Sequence, residues 1–467
     1  RVRDPSPLAA RRGHPRRSHG DPGKHEPRRQ GGRAFEPAIL ARRIISWLCS
    51  AGIVLDDADA KAYSAFLRSF GMQLAYLAAS YRRSAPGLPR LNALMALVYA
   101  GLCMADQERL LELYEPLFLA ELERQITPTG AHVTRSSHGL VDLLLDLLPM
   151  TQCYVARNRP VPERIQIVVQ RIFPWLRYMR MGDGQLARFH GAGAPMSVNL
   201  ATVLAYDDVM RKLEPSPQLG YLRGEAGRTI LILDAGAPPV LEHSSEAHAG
   251  SLAFEMSSAG QLIIINCGAP AGKGHAMRRL ARSTGAHSTL AIDGASSARL
   301  VAGSQAAADP GAEGLSGPAK VTGRWARLTD GGIDFEASHD GYFGRFGVVH
   351  TRALRLSRDG VTLDGCDRLE HPDPTSRIMG DIPFGIHFHL HPDVEVRRGD
   401  DPGAAELLLL SGETWRLMVR GTATLVFEDS MYLSETTGPR RSLQIVLRGR
   451  CLDKAEIHWR LEQTAAG

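Results

Sequence analysis

The amino-acid sequence predicts a two-part α-then-β protein, an all-helical half followed by a large antiparallel β half. Its 467 residues exceed the length of an ordinary single domain. From Pro37 to about Lys212 apolar residues recur at intervals of three and four, as on one face of a helix. After about Glu225 the interval becomes two, as in strands. We therefore assign residues 35–224 to a helical domain and 225–467 to a β-sandwich domain.

Six stretches of the first half have helical periodicity. They are Ile39–Ile53, Ala60–Tyr81, Leu91–Met104, Gln107–Gln125, Leu140–Ala156 and Arg164–Met179. The breaks between them contain Gly and Pro, as in Thr127-Pro128-Thr129-Gly130. Helices of this length joined by short loops form antiparallel hairpins.

The second half reads as a dozen short strands separated by turn residues. They are Thr229–Leu233, Ser251–Met256, Leu262–Asn266, Ser288–Ile292, Val348–Leu356, Val361–Leu363, Gly385–Leu390, Glu406–Leu410, Thr414–Val419, Thr424–Phe427, Leu443–Leu447 and Ala455–Leu461. Strands without intervening helices favour an antiparallel sandwich over a parallel sheet. The Gly- and Ala-rich stretch Ala302–Lys320 is expected to be a surface loop.

Charge and composition limit the functional classes. The net charge is +5, but residues 1–34 alone hold ten basic and three acidic side chains. This basic N-terminal segment is predicted to be disordered, and the chain shows no nucleic-acid-binding surface. No window approaches the length of apolar residues that a membrane span requires, and no secretory signal is recognisable. A cytoplasmic location is the default expectation, with a periplasmic one as the alternative.

Histidines mark candidate sites in the β half. In the segment Gly385–Pro392, His387, His389 and His391 alternate with apolar residues, so the three imidazoles share one strand face. A solvated outer face and a buried, ligating face are both open. His248 and His287 lie in two short polar segments, with Asn266 between them at the end of an apolar strand. Imidazoles are ordinary zinc ligands, and Asn or Asp can complete such a zinc site. A single histidine, however, is more often structural.

Polar residues in the helical half cluster at loop edges, where concave helical folds place ligand contacts. The guanidinium groups of Arg135 and Arg157 are suited to carboxylate or sulfate binding because they can bond both oxygens. The other candidates at these edges are Gln125, Ser136, His138, Tyr154, Asn158 and His190.

Several of these segments together resemble the heparinase II/III-like family of polysaccharide lyases. The resemblance lies in Glu246–Gly268, Ala286-His287-Ser288-Thr289, Phe388–Pro392, Gly412-Glu413-Thr414-Trp415 and Ser430-Met431-Tyr432. In the helical half it lies in Arg124-Gln125-Ile126 and Gly182-Asp183-Gly184, so that it covers roughly residues 35–467. The resemblance implies an incomplete (α/α) toroid followed by an antiparallel super-β-sandwich.

The resemblance also implies a reaction, β-elimination at a uronic acid of an acidic polysaccharide such as a heparin- or heparan-like glycan. Such a reaction needs a partner for the uronate carboxylate, a base for the C5 proton and an acid for the leaving oxygen. By the motifs, Ser136 falls where the family has the carboxylate-binding Asn, and His190 falls near the catalytic Tyr. Glu246 falls where the first, catalytic His would be.

Three further positions match a structural zinc site seen in some members: His248, Asn266 and His287. The remaining predicted roles are Tyr154 as a second acid/base group and Arg135, His138, Arg157 and Gln125 as substrate-binding residues. Ser for Asn, Glu for His, Asn266 for the expected Asp ligand and Gly250 for a further Asp are departures from the family pattern.

Three functional hypotheses therefore remain open. The first is a lyase that cleaves an acidic polysaccharide and that could form a homodimer. The second is a non-catalytic glycan-binding or cell-envelope-associated protein on a lyase scaffold, which the residues Ser136 and Glu246 favour. The third is a metal-dependent protein organised by His248, His287 and the face of His387, His389 and His391.

Overall fold

The helical half and the β half are both present in the computed structural model, which describes residues 33–213, 216–270, 277–302, 313–318, 320–376, 378 and 380–464. The helices of the first half are α1 (Pro37–Cys49), α2 (Ala51–Val54), α3 (Ala60–Ser80), α4 (Leu88–Cys103), α5 (Glu108–Gln125), α6 (Ser137–Ala156), α7 (Glu163–Tyr178) and α8 (Ser197–Leu204). Six of these match the predicted stretches to within a few residues, because strong apolar periodicity and Gly/Pro breaks are local signals.

Helices α4 and α6 form the centre of the helical half. The α4 residues from Ala93 to Leu102 are all apolar apart from Gly101, and every one of them is buried. Helix α6 is long and apolar enough to cross a membrane by length and composition alone, but 50% of its apolar window is buried inside the helical half. Such burial is typical of the central helix of a globular domain.

The turn between α5 and α6 brings the chain back across the helical layer. Gly130 has φ +88°, and a Cβ there would lie 1.9 Å from the carbonyl oxygen of Arg171. Only glycine fits a backbone that is both left-handed and this close to α7. The return leads directly to Arg135 and to the first turn of α6.

The β half consists of 18 strands in the described part of the chain. They are β1 (Tyr221–Ala226), β2 (Thr229–Asp234), β3 (Phe254–Ser258), β4 (Gln261–Ile265), β5 (Leu290–Ile292), β6 (Arg299–Ala302), β7 (Glu313–Ser316), β8 (Val321–Thr329), β9 (Gly332–His339), β10 (Val349–Ser357), β11 (Thr362–Glu370), β12 (Ile382–Leu390), β13 (Glu395–Arg398), β14 (Ala404–Leu408), β15 (Thr414–Arg420), β16 (Thr424–Tyr432), β17 (Arg440–Cys451) and β18 (Ala455–Thr464). Two four-residue helices, α9 (Arg278–Ala281) and α10 (Phe343–Phe346), interrupt them.

These strands form two large antiparallel sheets. The first runs β1-β2-β3-β4-β12-β17-β16, with β5 also paired to β12. The second runs β13-β14-β15-β18-β11-β10-β9-β8. Side chains from both sheets form one apolar core, whereas Ile232, Ile265 and Tyr432 of the first sheet join the core of the helical half. The first sheet is therefore the middle of three layers, which explains why β2 and β4 are apolar on both faces.

The structure corrects several details of the predicted β half. The first strand begins at Tyr221, four residues before the predicted start of the domain. Strands β8 and β9 had no predicted counterpart, because their outward-facing positions are polar and β8 is largely exposed. The loop predicted over 302–320 contains β7, which pairs with β6; residues 303–312 lie outside the described residues.

Two other sequence predictions have different outcomes. The basic N-terminal segment predicted over residues 1–34 lies outside the described residues except for its last two, which open a 3-10 helix at Arg33–Phe35. In addition, all six cysteines are free thiols.

Candidate active site at the seam between the halves

A buried carboxylate, Asp234, lies where the helical half meets the first sheet. Asp234 ends β2, and its side chain is 2% exposed. Nη2 of Arg135, from the segment that precedes α6, lies 2.6 Å from Oδ1 of Asp234. The same guanidinium donates to the carbonyl oxygens of Gly220, Gly236 and Ala237, and it lies 4.3 Å from the ring centre of Tyr221. Arg135 thus links the helical half to the first sheet.

His190 completes this cluster from the loop that follows α7. Its Nε2 lies 3.2 Å from Oδ2 of Asp234, and its Nδ1 accepts a hydrogen bond from the backbone N–H of His248. Since Nδ1 accepts, the proton of the neutral ring is on Nε2 and faces the carboxylate. Burial, and then the Arg135 charge, lower the pKa of His190, so the ring is neutral near pH 7.

The backbone around this cluster is unusual. Arg135 has φ +59° and His190 has φ +44°, in the left-handed region that favours glycine. Each such residue costs on the order of 1 kcal/mol and persists only where its surroundings hold it. Both side chains are held by one carboxylate, which compensates for the strain.

A histidine pair lies directly beneath His190. Nδ1 of His287 donates to the carbonyl oxygen of Ser283 at 2.8 Å, so its Nε2 is the acceptor for Nδ1–H of His248 at 3.1 Å. Burial lowers the pKa of His287 to about 4 and that of His248 well below its usual range. A Cβ on Gly250 would lie 2.7 Å from the His287 ring, so this packing requires glycine where the family pattern has Asp.

A second buried carboxylate, Glu255, organises the other side of the seam. Its Oε1 accepts from the backbone and the side-chain amide of Asn266, and its Oε2 accepts from the backbone N–H of Arg188. The Arg188 guanidinium lies 3.8 Å from Glu255 and donates from Nε to the hydroxyl of Tyr432. Three elements, the α7–α8 loop, β3 and β16, therefore meet at Arg188.

The residues predicted for zinc do not form a complete family-type site. His248 and His287 are adjacent, but each ring hydrogen-bonds the other. The amide of Asn266 already accepts from the Ser288 backbone N–H and donates to Glu255. Among the described residues no third His, Cys, Asp or Glu joins these two rings in a possible metal group. The zinc prediction remains a prediction that metal analysis must decide.

Tyr154 and Arg157 lie far from this cluster. Both are at the C-terminal end of α6, whereas Ser136 caps its N-terminus, so about 27 Å of helix separates them. Tyr154 donates to Glu115, and Arg157 donates to the carbonyl oxygen of Cys103. Neither can act on a sugar bound at His190, and the predicted pairing of Tyr154 with His190 is therefore wrong. Asn158 lies at the same far end.

Three other predicted residues of the helical half lie near the seam in different roles. Gln125 is fully buried and bonds Gly87, Glu121 and His132, which leaves it no free group for a substrate. The hydroxyl of Ser136 accepts from the Gly139 N–H as the cap of α6. His138, one turn into α6, is half-buried; burial, and then Arg188, lower its pKa to about 4.

Glu246, which the motif resemblance assigns to the position of a catalytic His, does not join the buried cluster. Glu246 is in a turn and His248 is in irregular backbone, so neither belongs to a strand. The carboxylate of Glu246 is 44% exposed and pairs with Arg278 at 2.5 Å. It faces solvent while the backbone of the same segment packs against Gly191.

The histidines predicted to share one face of β12 form hydrogen bonds with neighbouring residues. Ile386, Phe388 and Leu390 fill the sandwich core as expected. Across the strand, His387 bonds Gln444, and His389 bonds Ser430 and the carbonyl oxygen of Gly285. His350 lies in the other sheet, beside Asp367. His389 is buried, whereas His387 and His391 are half-buried. Among the described residues these three do not form a possible metal group.

Sequence reasoning missed Asp234, Glu255 and Arg188. Each left a local signal, since Asp234 and Glu255 are acidic residues at the end of or inside apolar strands, where an unpaired charge is costly. Arg188 is two residues before His190. None of these signals identifies the partner, because the partners come from distant segments.

The architecture just described, a helical layer against a two-sheet sandwich, is that of solved heparinase III structures. A structure titled heparinase III has a TM-score of 0.70 at 14% identity and covers 92% of this chain and 70% of that one. The heparan sulfate lyase HepC of Pedobacter heparinus has a TM-score of 0.65 at 15% identity, with 93% and 69% covered. At these identities the likeness establishes the toroid-plus-sandwich fold.

The family follows from sequence. The model of the heparinase II/III-like C-terminal domain matches residues 209–460, and this chain belongs to that family. The chain is also 30% identical over 440 residues to FtsZ-localized protein C of Caulobacter vibrioides, covering 92% of this chain and 74% of that protein. This likeness spans both halves.

Proposed function

We propose that this chain is a non-catalytic member of the heparinase II/III-like family, which binds an acidic glycan or an envelope component without cleaving it. The observation that carries the proposal is the burial of His190, which is 2% exposed and held between Asp234 and the His248 backbone. A general base must come within hydrogen-bond reach of the proton that it removes. Nδ1 of His190 accepts from the His248 backbone, and its Nε2 is buried 3.2 Å from Asp234, so neither nitrogen is exposed to a polysaccharide.

The two residues that could neutralise the uronate carboxylate, Arg135 and Ser136, are also already engaged. Arg135 already bonds a carboxylate and three carbonyl oxygens, and Ser136 caps a helix. Glu246 adds a negative charge at the surface beside them. Without a partner for the substrate carboxylate, the C5 proton is not acidic enough for removal.

The accessible residues along the seam are suited to binding. His138 and His391 are both half-buried and both close enough to Arg188 for its charge to lower their pKa. The His391 ring packs against the buried Tyr432 at 5.2 Å, and Arg440, which pairs with Asp393 and Glu435, is 41% exposed. Half-buried imidazole groups beside an exposed guanidinium group are appropriate for an anionic sugar chain.

The test combines turnover and binding. Purified protein is incubated with heparan sulfate, alginate and bacterial capsular glycans while ultraviolet absorbance follows the double bond that β-elimination creates. We expect no rise, together with retention on an acidic glycan that weakens about ten-fold in Arg440→Ala and is unchanged in the control Arg450→Ala. Arg450 is a matched surface arginine at the far end of the same strand pair.

The opposite result is equally informative. A rise in absorbance that disappears in His190→Ala would overturn the proposal and establish a uronate lyase. It would also mean that the Asp234 cluster opens during turnover, which tryptophan fluorescence could follow through Trp175 beside Tyr221.

A second proposal follows from the relative whose name places it with FtsZ. The 30% identity extends over 92% of this chain, so it includes the helical half as well as the β half. We propose that this chain likewise associates with FtsZ, in a cytoplasmic setting. Co-sedimentation of the purified chain with FtsZ polymers tests this. Its absence from the pellet at micromolar concentrations would reject FtsZ association without touching the glycan proposal.

A further inference from the structure

Three metal-ligating side chains meet on the outer face of the second sheet, away from the seam. Cys366 of β11 and His458 of β18 are direct cross-strand partners, and Glu456 is two residues from His458 on the same face. Their ligand atoms all lie within 4.8 Å of one another. Nε2 of His458 is 3.0 Å from Oε1 of Glu456, and Sγ of Cys366 is 3.7 Å from the same oxygen.

The separation of Cys366 and Glu456 matches that of two ligands around one small cation, and His458 lies slightly closer to Glu456 than such ligands do. With zinc bonds of about 2.3 Å to sulfur and about 2.0 Å to nitrogen or oxygen, tetrahedral ligand atoms are roughly 3.3–3.7 Å apart. The side chains project from paired strands, which hold them more rigidly than a loop would. Little rearrangement is therefore needed for a cation to bind.

The charges nearby also permit a cation. Arg368 is paired with Glu336, and Arg460 is paired with Asp364, so each guanidinium has its own carboxylate. Alkaline-earth ions, which prefer oxygen ligands, are poorly matched to this set.

We propose that Cys366, Glu456 and His458 form a binding site for a thiophilic divalent cation, of which Zn²⁺ is the best match. The three ligands leave a fourth position open. Cys366 and His458 line a surface depression of about 510 Å³ that also contains Trp325, Arg355 and Arg420. A water molecule or an anionic ligand in this depression would reach the fourth position.

The test uses the full chain after removal of metal by chelation, titrated with Zn²⁺ and separately with Co²⁺. We expect one equivalent of Zn²⁺ to bind, and the Co²⁺ form to show thiolate-to-cobalt charge-transfer absorption. Cys366→Ser should abolish that absorption, and His458→Ala should weaken Zn²⁺ binding at least ten-fold. Cys49→Ser, an exposed thiol in α1, is the matched control and should change neither.

The same titration separates this site from the zinc position implied by the family. If Zn²⁺ binding is lost in His248→Ala and retained in Cys366→Ser, the ion belongs to the seam and the proposal is overturned. Absence of stoichiometric Zn²⁺ from the unsubstituted chain also overturns it. Because all three proposed ligands lie at the surface, circular dichroism should show unchanged folding in each variant.

Discussion

Two buried clusters in this protein use the same three residue types in different places. At the seam, Asp234 is bonded by Arg135 and faces His190. Inside the sandwich, Asp367 receives two hydrogen bonds from the Arg352 guanidinium, at 2.8 and 3.1 Å, and one from His350 at 2.7 Å.

The second cluster is entirely enclosed. The side chains of Asp367, Arg352 and His350 are all fully buried, and Trp459 donates a further hydrogen bond to the carboxylate. No substrate can reach it. All four side chains belong to the second sheet, so the cluster holds β10, β11 and β18 together. The Arg352 guanidinium also donates to the carbonyl oxygens of Leu252 and Ser288, which fixes the loops that carry His248 and His287.

The comparison shows that an Arg–Asp–His group is not evidence of catalysis by itself. In both clusters burial alone would raise the pKa of the carboxyl, but the arginine and histidine lower it. In both clusters burial lowers the pKa of the histidine. The seam cluster differs chiefly in its location, because the motif resemblance predicts that His190 falls near the family's catalytic Tyr. Four predictions test how far the likeness extends.

The largest expected effect is that of Asp367→Asn. The substitution leaves the Arg352 charge buried with only carbonyl partners, and breaking a buried pair in this way costs about 3–5 kcal/mol. Urea denaturation followed by circular dichroism measures the loss. A loss below about 1 kcal/mol would mean that the network contributes little to holding β10, β11 and β18 together.

Asp234→Asn should cost less, about 2–3 kcal/mol, since Arg135 is 12% exposed and keeps its three carbonyl partners. It should also loosen the contact between the halves, which limited proteolysis near Arg135 would detect. If Asp234→Asn proves as costly as Asp367→Asn, the seam is as tightly closed as the sandwich interior. If Asp234→Asn raises uronate cleavage or glycan binding, the seam is a catalytic or glycan-binding site.

The pH dependence of stability follows from the buried neutral histidines. His287 has a pKa of about 4 in the folded chain, against an ordinary value near 6.5. A depressed pKa means that the unfolded chain binds the proton more readily, so the stability is complete above about pH 6.5 and falls as the pH drops toward 4. Each such group contributes roughly 1.4 kcal/mol per pH unit in that window.

Unfolding free energies measured between pH 7 and 4.5 test this expectation. His287→Gln should flatten the acid slope, whereas His371→Gln, a histidine on an exposed turn, should leave it unchanged. An unchanged slope in His287→Gln would show that other groups dominate the acid response.

The smallest expected effect is that of Glu246→Gln. The Glu246–Arg278 pair lies at the surface, with Glu246 44% exposed, and such pairs contribute about 0–1 kcal/mol. Thermal unfolding should shift by no more than a few degrees. A much larger shift would place Glu246 in the same energetic unit as His190 and would make its replacement of a family histidine a structural change.

The helical half was the most accurately predicted region. The six predicted helices agree with the structure because apolar spacing, Gly130 and the prolines act within one turn of chain. Strands β8 and β9 escaped prediction because an edge of the second sheet tolerates polar residues on its exposed face.

The candidate site was predicted only in part. His190, Arg135 and His248 do meet, but their common partner Asp234 was not foreseen, and Tyr154 proved to be at the wrong end of α6. Motif positions order residues along the chain, whereas the seam joins residues that are up to 244 positions apart, such as Arg188 and Tyr432.

The sequence by itself therefore determined the order of the two halves, the helices and the faces that they bury, because these depend on interactions between neighbouring residues. It also carried the family resemblance. Only the tertiary structure decided that His190 is enclosed, that Arg135 bonds a carboxylate of its own chain, and that Cys366 faces His458. Burial and pairing are properties of residues brought together from distant parts of the chain, and no local pattern contains them.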